Sequence, residues 1–78
     1  MSEIDPIYLE IGMRIRDVRR KWRVTQGALA YLVGLEWPSS ICDYEKGRMR
    51  IPIDILYAIA KALHCSVYTL LPEKEEQP

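Results

Sequence analysis

Residues 25–45, TQGALAYLVGLEWPSSICDYE, restrict what this chain can fold into more than any other stretch. Thr25 is placed to cap a helix whose apolar positions, Leu29, Ala30, Leu32 and Val33, fall near a 3.6-residue period. Gly34 then breaks the pattern, as a residue able to take φ > 0 at a helix C-terminus. After a short linker, Pro38 offers a fixed φ suited to the first turn of a second helix, over residues 39–46. Ile41 and Tyr44 lie three apart and turn inward, while Ser39, Ser40 and Asp43 turn outward. The result is two short helices at a glycine corner, the second with a polar outer face.

The flanking segments are helical too. Asp5 and Pro6 begin a helix over residues 6–22, whose seam of Ile11, Ile15, Val18 and Trp22 is extended by Ile7. Glu10 and Arg14, four apart, are expected to pair on its exposed side. Arg19, Arg20, Lys21 and Arg23 cluster at its end, where the macrodipole favours cations, so part of the cluster serves the helix itself. Gly27 costs its helix about 1 kcal/mol relative to alanine, which suggests space needed by a neighbour or a phosphate. Gly47 caps the third helix. Pro52 opens a fourth, with Asp54 in its first turn. Ile55, Leu56, Ile59 and Leu63 mark its buried face, and Ala58, Ala60 and Ala62 permit close approach. Ser66 caps a last helix over 67–71, stopped by Pro72. No stretch alternates apolar and polar, so the expected fold is all-α: five short helices around one core. Residues 1–5 form an N-terminal extension, 6–71 the domain and 72–78 a charged, frayed tail.

Several functional classes lack their residues. Cys42 and Cys65 show no metal spacing and His64 is the single histidine, so no metal site or cofactor is expected; both thiols read as reduced and partly buried. No nucleophile and base form a constellation, which argues against an enzyme. An acidic start without an apolar core excludes a signal peptide, and no apolar run is long enough for a bilayer; the expected location is cytoplasmic, without a membrane partner. Net charge is zero, but its distribution is uneven. Residues 11–50 carry nine basic and four acidic side chains, a balance of +5; the rest of the chain carries −5. A phosphate within a Debye length senses only the local sign, although a basic run is also what a solvated helix face shows. With the glycine corner, this is the helix-turn-helix pattern, whose second helix enters the DNA major groove.

The segments IGMRIRDVRRKWRVTQ, LAYLVG, ICDYEKGR, IPIDILYAIAKAL and SVYTLL, in unbroken order over residues 11–71, resemble the Cro/CI-type helix-turn-helix family, the XRE family of phage and bacterial repressors. The resemblance implies a compact five-helix lambda-repressor-like DNA-binding domain with the motif at its second and third helices. It assigns Gln26 to a backbone phosphate, Pro38, Ser39 and Asp43 to base edges with Ser40 beside them, and Arg48 and Arg50 to a phosphate-facing loop. It pairs Arg19 with Glu45 in a largely buried salt bridge between the first and third helices. It places self-association on the last helix, at Tyr68 and Leu71, and so implies a homodimer on a palindromic operator with no small-molecule ligand.

Two departures stand out. Between Leu35 and Ile41 the chain has one residue more than the family spacing, with Glu36, Trp37 and Pro38 in place of a short polar turn. The base-facing set also lacks the Gln, Asn or Arg that make bidentate base contacts. Trp37 is open to two readings, a DNA contact at a thymine methyl or sugar edge, or packing on the second helix, and the usual burial of tryptophan tips it toward packing. An exposed patch of Trp37 and Met49 would instead suit a protein-interaction module on the same fold, such as an antitoxin or accessory transcription factor.

Overall fold

Asp5 starts the first helix with its side chain: Oδ1 accepts the Ile7 N–H at 2.9 Å, and Pro6 already has helical dihedrals (φ −57°, ψ −15°). The computed structural model describes residues 3–72 and forms them into five helices: α1 Ile7–Lys21, α2 Gln26–Leu32, α3 Pro38–Glu45, α4 Ile53–Ala62 and α5 Val67–Leu70. Thr25 Oγ1 accepts the Ala28 N–H at 3.0 Å and caps α2; Ser66 Oγ accepts the Tyr68 N–H at 3.0 Å and caps α5. Pro38 is the first residue of α3, whereas Pro52 stands just before α4 with an extended ψ of 145°.

α1 to α4 all end in the same way. A residue in the left-handed region follows the last turn, and the next N–H reaches back five residues: Val24 to Arg19, Leu35 to Ala30, Arg48 to Asp43 and Cys65 to Ala60, at 2.8–3.0 Å. The left-handed positions hold Arg23 (φ 58°), Gly34 (79°), Gly47 (70°) and His64 (57°). Gly47 answers two demands at once, because a Cβ there would also lie 2.7 Å from Leu9 Cα.

α1 packs on α3 and α5, α2 on α3 and α4, and α4 on α5. Every helix or its cap supplies a fully buried side chain to one centre: Ile15, Leu29, Ile41, Ile59, Leu63 and Leu70. The seam expected on α1 holds at Ile11, Ile15 and Val18 and fails at its two ends. Ile7 is exposed, and Trp22 lies mostly outside, edge-on to His64 at 5.7 Å between ring centres and 61° between planes. Trp22 falls beyond the last turn of α1, where the chain has begun to turn toward α2 and no other helix covers it. The Glu10–Arg14 pair is not among the ion pairs of the described residues. The expected tail lies outside the described residues except for Pro72.

Candidate nucleic-acid interface

α3 is held against the body by its main chain. Gly12 in α1 sits under the end of α3; a Cβ there would meet the Tyr44 carbonyl oxygen at 2.1 Å and that of Glu45 at 2.7 Å. No side chain fits between the two helices at this point. The contact aims the inner face of α3, Ile41 and Tyr44, into the core. Burial and the negative charge of Asp54 raise the Tyr44 hydroxyl above its ordinary pKa of 10.0.

A polar lock sits beside this contact. Arg19 Nε donates to Glu45 Oε2 at 2.6 Å and Nη2 donates to Oε1 at 3.1 Å, a two-point pair. Arg19 Nη1 donates to the Val24 carbonyl at 2.8 Å. Gln26 Nε2 donates to Glu45 Oε1 at 3.0 Å. The side chains of Arg19 and Glu45 are only 12% and 3% exposed, so each group needs its partners. The network joins α1, the α1–α2 link, the start of α2 and the end of α3.

The outer side of α3 is open. Trp37, Pro38 and Ser39 are exposed and Ser40 is half-buried. Trp37 is 62% exposed and stands at the N-cap position ahead of α3, outside the core, against the expectation of packing. Asp43 is not a free carboxylate, since Arg48 Nη1 stands 3.5 Å from its Oδ1. Arg48 is mostly solvated and the Asp43 side chain is 35% exposed, so the pair adds little stability but offsets the local negative charge. Arg50 is exposed. Met49 packs against the core, which removes it from the apolar patch proposed with Trp37.

The candidate residues thus divide by element. Trp37, Pro38, Ser39, Ser40 and Asp43 share α3 and its entry, Arg48 and Arg50 follow it, and Gln26 faces its far end. Tyr68 is exposed on α5, while Leu71, just beyond that helix, packs partly against the core. Gln26 has one of its two amide N–H groups committed to Glu45, which leaves the other for an outside acceptor.

Two cations escaped sequence reasoning as site residues. Arg16, Arg19, Gln26, Cys42, Glu45 and Lys46 line a cleft of about 330 Å³ between α1, α2 and α3. Arg16 and Lys46 are exposed at its wall, and neither forms an ion pair among the described residues. The available signal was the spacing of Arg16 three residues before Arg19, which places both on one side of α1. A second shallow cleft on α1, lined by Glu10, Met13, Arg14 and Asp17, mixes charges and lies on that helix alone. Groups of metal-binding side chains are absent among the described residues, and none of their helices is long and apolar enough to cross a membrane.

No family model matches the chain. No curated protein sequence matches it either. Solved structures do. The controller protein of a restriction-modification system, C.AhdI from Aeromonas hydrophila, superposes with a TM-score of 0.78 at 26% identity, over 82% of this chain and 96% of that one. The clp gene regulator ClgR from Corynebacterium glutamicum gives 0.80 at 24% identity, over 87% and 71%, a likeness of fold. The P22 c2 repressor, crystallised with a synthetic operator, gives 0.72 at 36% identity, over 78% of this chain and 91% of its own. With that identity across nearly all of the repressor chain, and the glycine corner, the open α3 and the five-helix core in place, this chain belongs to the Cro/CI-type helix-turn-helix family.

Proposed function

We propose that the protein is a sequence-specific, double-stranded DNA-binding transcriptional regulator, a repressor acting in the cytoplasm as a homodimer on a palindromic operator. The observation that carries this reading is the outward face of α3, free of the molecule's own packing and bordered by Arg48, Arg50 and the Arg16–Lys46 cleft. The operator bound by the P22 c2 repressor supports it by analogy. In this reading α3 lies in the major groove, and Gln26, Arg16, Lys46, Arg48 and Arg50 meet phosphates. Contact with about four phosphates per protomer, about eight for the dimer, lowers affinity on the order of 10,000-fold between about 50 mM and 200 mM salt. Selection from random duplex DNA, followed by titration at both salt concentrations, tests the reading; binding indifferent to salt contradicts it. Self-association through α5 is tested by sedimentation of the protein and its Tyr68→Ala variant, which is expected to shift toward monomer.

A protein-interaction module is the second reading. It is favoured by Tyr31, 83% exposed, together with Leu32 and Trp37, all exposed where α2 leads into α3. A protein that shows no salt-dependent affinity for any duplex supports that reading.

A further inference from the structure

The exposed residues that lead into α3 are of an unusual kind for a helix that reads bases. The N-terminal residues of such a helix contact base edges. Here they are Trp37, Pro38 and Ser39, and along α3 up to Glu45 there is no Arg, Lys, Asn or Gln. Bidentate recognition of guanine or adenine from this helix is therefore unavailable. Asp43, the one side chain matched to a cytosine amino group, is engaged by Arg48. A serine hydroxyl both donates and accepts, and so discriminates weakly. The outer surface that remains is apolar: an indole and a pyrrolidine ring next to each other at the leading tip.

The position of Trp37 argues for a use outside the fold. It occupies the N-cap of α3, a site that favours Ser, Thr, Asp or Asn, and makes no capping hydrogen bond there. No aromatic partner stacks on it among the described residues, and most of its surface faces solvent. Core packing explains neither its presence nor its place. In the major groove the one apolar feature that distinguishes base pairs is the thymine C5-methyl group. Resting on the DNA-binding reading given above, we propose that Trp37 and Pro38 form an apolar tip that specifies thymine through its C5-methyl, so that the operator is read chiefly by methyl burial and not by hydrogen bonds from long side chains.

Replacing thymine by deoxyuridine removes that methyl and leaves every hydrogen-bonding atom in place, which isolates the contact. On the duplex recovered by selection, each thymine is replaced singly and affinity is measured by fluorescence anisotropy. The wild-type protein is expected to lose about fourfold at one or two positions in each half-site, as one methyl returned to water requires. Trp37→Ala is expected to bind more weakly and to bring the thymine-to-deoxyuridine ratio at those positions to about 1, the value for no discrimination. Trp37→Phe is expected to keep part of the ratio. Because the first measurement uses the unaltered protein, it does not depend on the fold of any variant. Wild-type binding indifferent to every replacement overturns the proposal, as does a thymine preference that survives in Trp37→Ala. Salt-dependent binding from which no consensus emerges overturns it while leaving a DNA-binding protein. Absence of salt-dependent binding defeats both.

Discussion

Glu45 is the residue on which most depends, because a nearly inaccessible carboxylate is compensated by two donors from Arg19 and one from Gln26. Glu45→Ala leaves the Arg19 guanidinium buried with only the Val24 carbonyl, and is expected to destabilise by about 3 kcal/mol in urea titration. Gln26→Ala removes a single hydrogen bond and is expected to cost about 1 kcal/mol. Arg23 presents the opposite case. It holds a left-handed cap with φ 58°, a conformation disfavoured by about 1–2 kcal/mol for a residue with a Cβ. Arg23→Gly relieves that strain and returns part of the gain as unfolded-state entropy, so a net stabilisation of about 0.5–1 kcal/mol is expected, read as a rise in Tm of several degrees. The Arg19–Glu45 pair was accessible from the sequence only through family resemblance. The bond from Gln26 to Glu45 was not accessible, because nothing in the residue types says that a glutamine assigned to a phosphate also turns one N–H inward.

At the scale of elements, two glycines that look alike in the sequence differ in space. Gly12 lies where α1 touches the main chain of α3, and a Cβ would meet a carbonyl oxygen at 2.1 Å. Gly12→Ala is expected to destabilise by about 3 kcal/mol, because backbone must move and the helix propensity gained, about 1 kcal/mol, does not offset it. Gly27, on the first turn of α2, has only Thr25 Oγ1 near, at 4.0 Å, so Gly27→Ala is expected to stabilise by about 0.5–1 kcal/mol in the same thermal scan. A stability loss for Gly27→Ala would show that α2 starts differently. Apolar spacing together with the caps Thr25 and Ser66 located the five helices, and Gly34, Gly47, Pro38 and Pro52 marked ends of α2, α3 and α4, whereas α1 and α4 end on Arg23 and His64, which carry no such mark. Which glycine faced another backbone was hidden, since a glycine carries no pattern that names its neighbour. The two tryptophans misled in the same direction: high average burial is a property of the residue type, but Trp22 and Trp37 sit past a helix end and before a helix start, where no second element covers them.

For the molecule as a whole, a buried phenol and a half-buried thiol contribute to the response at alkaline pH. Burial, with Asp54 beside it, raises the Tyr44 hydroxyl, and burial raises the Cys65 thiol. In the unfolded chain they ionise near their ordinary values of 10.0 and 9.0, and in the fold they ionise later. Their contribution is therefore complete below pH 9.0 and is lost as pH rises through the folded values, because the unfolded chain releases those protons first. Urea midpoints measured from pH 8 upward are expected to fall above about pH 9, and Tyr44→Phe is expected to flatten the upper part of that fall. The charge map has a similar whole-chain logic: a neutral total conceals a basic middle, of which Arg16, Arg19 and Lys46 meet in the cleft beside α3.

The glycine seat beneath α3 carries a consequence for how binding preferences can change. Main chain meets main chain there, and together with the Arg19–Glu45–Gln26 network it holds α3 from its inner side and its end, away from its outer face. The exposed residues Trp37, Pro38 and Ser39 lie clear of both holds, so changes there are expected to leave the seat of the helix in place. Under the DNA-binding function proposed above, recoding a sequence preference then becomes a matter of outward chemistry.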